Sequence, residues 1–163
     1  VLGLTMGMQP IVGYNFGAQK IDRVKQTLRL GIISGVVITS SGFVICEFFP
    51  HAVSALFTDS DELIDLAVGC IRLTVLMFPF VGAQIVIGNF FQSIGKAKVS
   101  IFLSLTRQLL YLLPCLLLFP NWWGLEGIWI SMPVSDALAF ITAVISLMIY
   151  IKKVSKQHPV VAE

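Results

Sequence analysis

Long apolar runs separated by short polar segments are the dominant pattern of this sequence. A helix needs about 20 mostly apolar residues to cross the hydrocarbon core of a bilayer, so runs of this length predict membrane-spanning helices. The predicted spans are residues 1–17, 30–57, 63–94, 99–119 and 128–151. Several exceed the length that a bilayer requires, which indicates tilted helices or protruding helix ends. The pattern therefore predicts an all-α integral membrane protein, a polytopic helix bundle.

The first run is short and begins at Val1 without a positively charged leader, which is not the pattern of a signal peptide. We expect it to be the second part of a truncated helix whose beginning lies upstream. Residues 1–156 are expected to form one bundle. Residues 157–163 are then a short tail outside the membrane.

The polar segments that follow the apolar runs are alternately basic and acidic. The segments after the first, third and fifth runs are basic, whereas those after the second and fourth carry acids and no base. The basic residues are Lys20, Arg23, Lys25 and Arg29, then Lys96 and Lys98, then Lys152, Lys153 and Lys156. Because basic loops stay in the cytoplasm, we expect a cytoplasmic C-terminus.

Composition excludes several classes of protein. Hydrophobic residues make up 56% of the chain and charged residues 12%, about half the charged share of a soluble domain. A net charge of +2 gives no basic surface for nucleic acid. The sequence also lacks a phosphate-binding loop and any His, Cys or Ser arrangement for metal binding or covalent catalysis. We therefore expect no enzyme activity, no metal and no organic cofactor.

Three of the predicted helices carry one polar side each. The members of these stripes are Met77, Gln84, Gly88, Gln92 and Gly95 in the third run, Ser100, Ser104, Arg107 and Tyr111 in the fourth, and Ser135, Thr142 and Ser146 in the fifth, with Asp136 close to the last of these stripes. Helical spacing places the members of each stripe on one face. Three such faces in one bundle predict a shared polar interior or cavity.

Asp136 and Arg107 lie at membrane depth, where an ionisable side chain is costly and marks a candidate functional site. Two interpretations stay open. In the first, the pair lines a water-accessible pathway in which Asp136 carries a proton or cation and Arg107 is its partner. In the second, the pair is permanently charged and only locks two helices together.

Glycine pairs with small-xxx-small spacing recur in the first two runs. Gly3 and Gly7, Gly13 and Gly17, and Gly31 and Gly35 each lie one helical turn apart. This spacing lets helix backbones approach closely, so we expect helix contacts at these positions.

Segment 7–18, together with the basic stretch 20–29, resembles the multidrug and toxic compound extrusion (MATE) family at the cytoplasmic end of its eighth helix. The residues that carry this motif are Gln9, Pro10, Gly13, Tyr14, Asn15 and Gly17. Residues 91–98 resemble the end of the family's tenth helix, and residues 105–108 its eleventh. Residues 124–129 and 133–136 resemble the start of its twelfth. The resemblance covers residues 1–156 in one collinear series.

The resemblance implies a twelve-helix, two-lobe antiporter of which this chain is an incomplete C-terminal lobe, its partner being an N-terminal lobe of the same protein. Such a transporter exchanges H⁺ or Na⁺ for amphipathic, often cationic, organic compounds by alternating access. The implied location is a bacterial inner membrane.

One feature departs from the family pattern. Sodium-type members carry an acid in the middle of the tenth helix, whereas this chain has Gly82, Ala83 and Gln84 there. The resemblance therefore assigns no coupling acid in this chain, and the hypothesis for Asp136 rests on the cost of burying a charge.

Two alternatives to a drug exporter stay open. The first is a flippase for lipids or lipid-linked oligosaccharides in the same superfamily, although its large cationic groove would require more deep basic residues. The second is a non-transporting membrane subunit or a gene remnant, because five helices and half a cavity cannot perform alternating access alone.

Overall fold

The computed structural model describes residues 1–157, with side chains described as far as residue 154. The helices are α1 (Leu2–Gly17), α2 (Ile21–Phe48), α3 (Pro50–Ala55), α4 (Asp61–Thr74), α5 (Phe78–Ser93), α6 (Ala97–Leu105), α7 (Leu113–Leu118) and α8 (Pro120–Gln157). A 3₁₀ turn, Val75–Met77, joins α4 to α5, and a π-helical segment, Thr106–Leu112, joins α6 to α7. Apart from residue 157, the predicted tail lies outside the described residues.

Four stretches of the described chain are long and apolar enough to cross a membrane. They are Ile21–Phe48, Asp61–Ser93, Ala97–Leu118 and Pro120–Val154. Helix α1 has 16 residues, which corresponds to about 24 Å and is shorter than the ~30 Å hydrocarbon core. The predicted all-α membrane bundle is confirmed, with α1 as a shorter fifth helix beside the four long stretches.

The connection predicted between the first two spans is mostly helical. Helix α2 begins at Ile21 and therefore includes Arg23, Lys25 and Arg29. Lys, Arg and Gln are good helix formers, and their polar ends keep contact with water while the backbone continues the helix. Hydrophobicity marks where a helix enters the membrane, not where it begins.

Prolines and glycines interrupt the long runs that the sequence presents as continuous. The second run breaks after Phe48 because Pro50 begins the separate short helix α3. The third run contains the 3₁₀ turn just before Pro79. Helix α8 starts at Pro120 and bends at Gly124, whose φ of 57° and ψ of −132° are not helical.

Helix α5 is the centre of the bundle and packs against α1, α2, α6 and α8. Its buried residues Ile87, Phe90 and Phe91 form the middle of the hydrophobic core. Tyr150 on α8 packs edge-on against both phenylalanine rings. These contacts fix the rotation of α5, so that its polar stripe faces α6 instead of the core.

Glycines bring α2 and α5 into backbone contact. A Cβ atom on Gly82 of α5 would lie 2.5 Å from the carbonyl oxygen of Gly35 on α2. A Cβ on Gly31 or Gly35 would likewise crowd α5 at Val86. In contrast, Cβ atoms on Gly3, Gly7 and Gly17 would meet open space. Of the three predicted glycine pairs, only Gly31 and Gly35 both contact a neighbouring helix.

We expect Gly82→Ala to lower the stability of the intact protein by about 1–3 kcal/mol, because the added methyl group must push two backbones apart. The measurement is thermal unfolding of the purified protein in detergent. Gly88→Ala on the same helix is the matched control, since a Cβ there has no neighbour within 4 Å. Equal unfolding temperatures for the two variants would contradict this prediction.

Candidate functional site: a polar cleft beside an ion pair

A cleft of about 340 Å³ lies between α5 and the α6–π segment. We call it the polar cleft. It is lined by Gln84, Ile85, Gly88, Asn89 and Gln92 on α5, and by Ser100, Leu103, Ser104, Arg107 and Gln108 on the other side. Most of these side chains are polar although the helices around them are apolar. The polar cleft is therefore a place where water or a polar solute can enter the bundle.

The polar cleft brings together the predicted stripes of the third and fourth runs. Among the candidate pathway residues, Gln84, Gln92 and Arg107 line it. Met77 does not line it, because it belongs to the 3₁₀ turn, where the 3.6-residue period that aligned it with Gln84 does not hold. Tyr111 also lies outside and faces α8 instead.

Two amide side chains of the polar cleft were not among the sequence candidates, Asn89 and Gln108. Asn89 donates a hydrogen bond from Nδ2 to the carbonyl oxygen of Ile85 at 3.0 Å. Its amide oxygen takes no part in that bond. Both residues could have been identified from the sequence as amides inside an apolar run, because such side chains require a polar partner in a membrane.

Gln84 has an unsatisfied acceptor. The residue is 8% exposed, and its Oε1 is buried without a hydrogen-bond partner among the described residues. A buried carbonyl oxygen without a donor costs about 1–3 kcal/mol. Gln84 is therefore a residue of the polar cleft whose acceptor still lacks a donor.

Arg107 forms an ion pair with Asp136. Its Nε donates to Oδ1 of Asp136 at 2.8 Å across 29 positions of sequence. The side chain of Asp136 is 10% exposed and that of Arg107 is 35% exposed. Of the two residues of the pair, Arg107 lines the polar cleft and Asp136 does not.

Tyr111 makes a second polar contact between the π-helical segment and α8. Its hydroxyl lies 2.7 Å from Oγ1 of Thr142. Thr142 donates its own proton to the carbonyl oxygen of Leu138 at 2.9 Å, so the Tyr111 hydroxyl is the donor of this bond. Thr142 belongs to the polar stripe of the fifth run, which thus contacts the stripe of the fourth through two side-chain bonds.

The π-helical segment places both donors towards α8. Arg107 and Tyr111 lie four residues apart within it. Pro114 lies two residues after the end of this segment. A proline lacks the N–H for the helical bond, and its ring clashes with the carbonyl four residues earlier, here that of Leu110. The proline accounts for a wider helical turn at this point, and π-helical turns are frequent at functional sites.

The six motif residues of α1 form a separate group. Gln9, Pro10, Gly13, Tyr14, Asn15 and Gly17 all lie on α1, and none lines the polar cleft. Tyr14 is 74% exposed. Asn15 donates from Nδ2 to the carbonyl oxygen of Ile11 at 2.8 Å. Gln9, Pro10, Tyr14 and Gly17 are exposed, whereas Gly13 and Asn15 are half-buried.

An all-helical membrane bundle with a polar cleft and an ion pair at membrane depth defines an integral membrane protein with a polar interior. The MatE family model matches residues 1–117. The chain therefore belongs to the MatE family, which confirms the resemblance found in the motifs.

Named relatives agree with this assignment. The chain is 24% identical over 155 residues to the multidrug export protein MepA of Staphylococcus aureus strain MSSA476, a match that covers 93% of this chain and 33% of the relative. It is 23% identical to MepA of Staphylococcus haemolyticus over 138 residues, with 85% and 30% covered. The chain spans about a third of the length of these curated relatives.

Solved structures also match. The MATE multidrug transporter DinF-BH is 37% identical with a TM-score of 0.85, over 90% of this chain and 33% of that chain. The Vibrio cholerae MATE transporter VcmN in its bent form is 20% identical with a TM-score of 0.83, over 93% and 34%. The first likeness supports the family as well as the fold, and the second shows the fold alone.

Proposed function

We propose that this chain is part of a cation-coupled multidrug exporter, which exchanges H⁺ or Na⁺ for amphipathic, often cationic, organic compounds by alternating access. Membership of the MatE family and the likeness to the multidrug export protein MepA support this proposal. The observation that carries it within the chain is the polar cleft at membrane depth, with the ion pair behind it. An N-terminal lobe of the same protein would complete the transport pathway.

The ion pair suggests how a cation is coupled to helix movement. Asp136 is almost buried, and its one described polar partner is Arg107. A proton or Na⁺ that neutralises the carboxylate competes with the guanidinium, because a neutral Asp136 no longer attracts it. The released Arg107 then turns towards the polar cleft, and the π-helical segment loses one of its two bonds to α8. Cation binding thus changes the packing between these helices.

The proposed orientation puts the C-terminus in the cytoplasm of a bacterial cell, with the chain in the inner membrane. The basic residues at the start of α2, around the α5–α6 connection and at the end of α8 support it, since basic loops are retained inside. Asp59 just before α4 and the acids in its first turns, Asp61, Glu62 and Asp65, belong to the opposite side.

The test is transport by the intact protein in proteoliposomes under imposed gradients. We expect a fluorescent amphipathic cation to move when a pH or a Na⁺ gradient is applied, and to stop moving when an ionophore dissipates that gradient. Export that is indifferent to both gradients would refute cation coupling. Movement of a lipid-linked oligosaccharide without any movement of dyes would favour the flippase instead.

A further inference from the structure

A second concavity lies on the other side of α6, between α6 and α8. We call it the basic groove. It has a volume of about 400 Å³ and shares no lining residue with the polar cleft. Its mouth carries Lys96, Lys98 and Lys153, and Tyr150 forms part of its wall. The six motif residues of α1 do not line this groove, and the proposed transport pathway does not use it.

The charge at the mouth of the basic groove is of one sign. Lys98 of α6, Lys153 of α8 and Lys96 just before α6 line it, and no Asp or Glu does so in the described residues. Lys96 is held in place, because its Nζ lies 4.2 Å from the centroid of the Tyr150 ring. Lys98 and Lys153 are exposed. The mouth therefore suits an anion and has one lysine already positioned.

Below the lysines the groove is apolar and open to the outside of the bundle. Phe102 on α6 and Ile149 on α8 line it and are 53% and 63% exposed. Both belong to stretches that are long and apolar enough to span the membrane. An occupant must therefore match positive charge at one end and hydrocarbon along the rest. A free soluble anion satisfies only the first condition.

We propose that the basic groove binds one anionic phospholipid of the adjacent leaflet, with its phosphate at Lys98, Lys153 and Lys96 and an acyl chain against Phe102 and Ile149. Basic pockets between membrane helices are a known form of lipid headgroup recognition. The lipid would fill the space between α6 and α8. Since α6 continues into the π-helical segment that carries Arg107, and α8 carries Asp136, an anionic lipid would add a second, separate connection between the same two stretches of chain.

The experiment uses the intact protein, purified and delipidated in detergent, with phosphatidylglycerol as the probe. Native mass spectrometry measures bound lipid, and thermal unfolding measures its effect. A Lys98→Gln, Lys153→Gln double variant should bind phosphatidylglycerol more weakly by on the order of tenfold, because each lysine near a membrane surface contributes a several-fold attraction to anionic lipid. The thermal stabilisation by the lipid should fall with it.

The matched control is Lys20→Gln with Lys152→Gln, which removes the same charge from exposed lysines that do not line the groove. It should bind the lipid as the unmodified protein does. Equal weakening in both double variants would overturn the proposal, since the attraction would then be nonspecific.

Two further probes separate the chemical sources of binding. Phosphatidylcholine with the same acyl chains should bind poorly, and inorganic phosphate should give no stabilisation. Stabilisation by inorganic phosphate would show that the groove is only an anion site. Equal binding of phosphatidylcholine would show that it is a general lipid contact. Ile149→Trp, which fills the apolar part, should weaken phosphatidylglycerol binding without changing any charge, and unchanged binding would contradict the placement of the acyl chain.

Discussion

Asp136→Asn in the intact protein is expected to reduce drug export to the level of membranes without the transporter, at unchanged abundance. Asparagine has nearly the same shape and no charge, so it imitates the neutral Asp136, from which Arg107 is released towards the polar cleft. It cannot take up a proton and attracts Na⁺ far less than a carboxylate does. The loss therefore falls on coupling and not on folding.

The measurement is efflux of a fluorescent cation from cells, with the amount of transporter quantified in the same membranes. Glu126→Gln is the matched control, because it neutralises an exposed acid on the same helix, outside the polar cleft and the ion pair. Export at the unmodified rate in Asp136→Asn would establish the other interpretation, in which the pair only locks two helices.

Arg107→Ala is expected to destabilise the protein by about 2 kcal/mol and to lower its abundance in the membrane. Removing one partner of a buried ion pair leaves the other charge uncompensated, which costs about 3–5 kcal/mol when both are fully buried. Arg107 is 35% exposed, so solvent reduces the effect. Thermal unfolding and the yield of folded protein measure it.

The double variant Arg107→Ala, Asp136→Ala separates lost pairing from lost packing. Once the carboxylate is removed as well, no buried charge is left, and stability should recover most of the loss. Arg23→Ala, at an exposed position of α2, is the control for removing an arginine. A double variant no more stable than Arg107→Ala would show that the ion pair does not account for the effect.

The two experiments together distinguish a structural pair from a coupling pair. A coupling role requires that the restored double variant folds but does not export, since it lacks the carboxylate. A purely structural role predicts that the same variant both folds and exports. Stability therefore tests the structural role of the ion pair, and transport tests its coupling role.

Much of the site could be predicted from the one-sided distribution of polar residues in otherwise apolar helices. The stripe from Ser100 to Arg107 and the stripe from Gln84 to Gln92 are read from helical periodicity, and both line the polar cleft. Met77 does not lie on the predicted face because a 3₁₀ turn changes the local period. The transport roles of Asp136 and Arg107 stay predictions until the experiments above are done.

Length and periodicity are local properties, and they were sufficient for the helical class and for most of the two polar faces that line the polar cleft. Family membership also followed from local motifs. Contacts between helices depend on how each helix is rotated about its axis, and they join residues that are far apart in the chain. A short stretch of sequence therefore does not reveal them. Only the folded chain showed that Gly82 meets Gly35, that Tyr111 donates to Thr142, and that opposite sides of α6 line a polar cleft and a basic groove. The physical reason is that side-chain packing around α5 and the wide turn before Pro114 set how each helix is rotated.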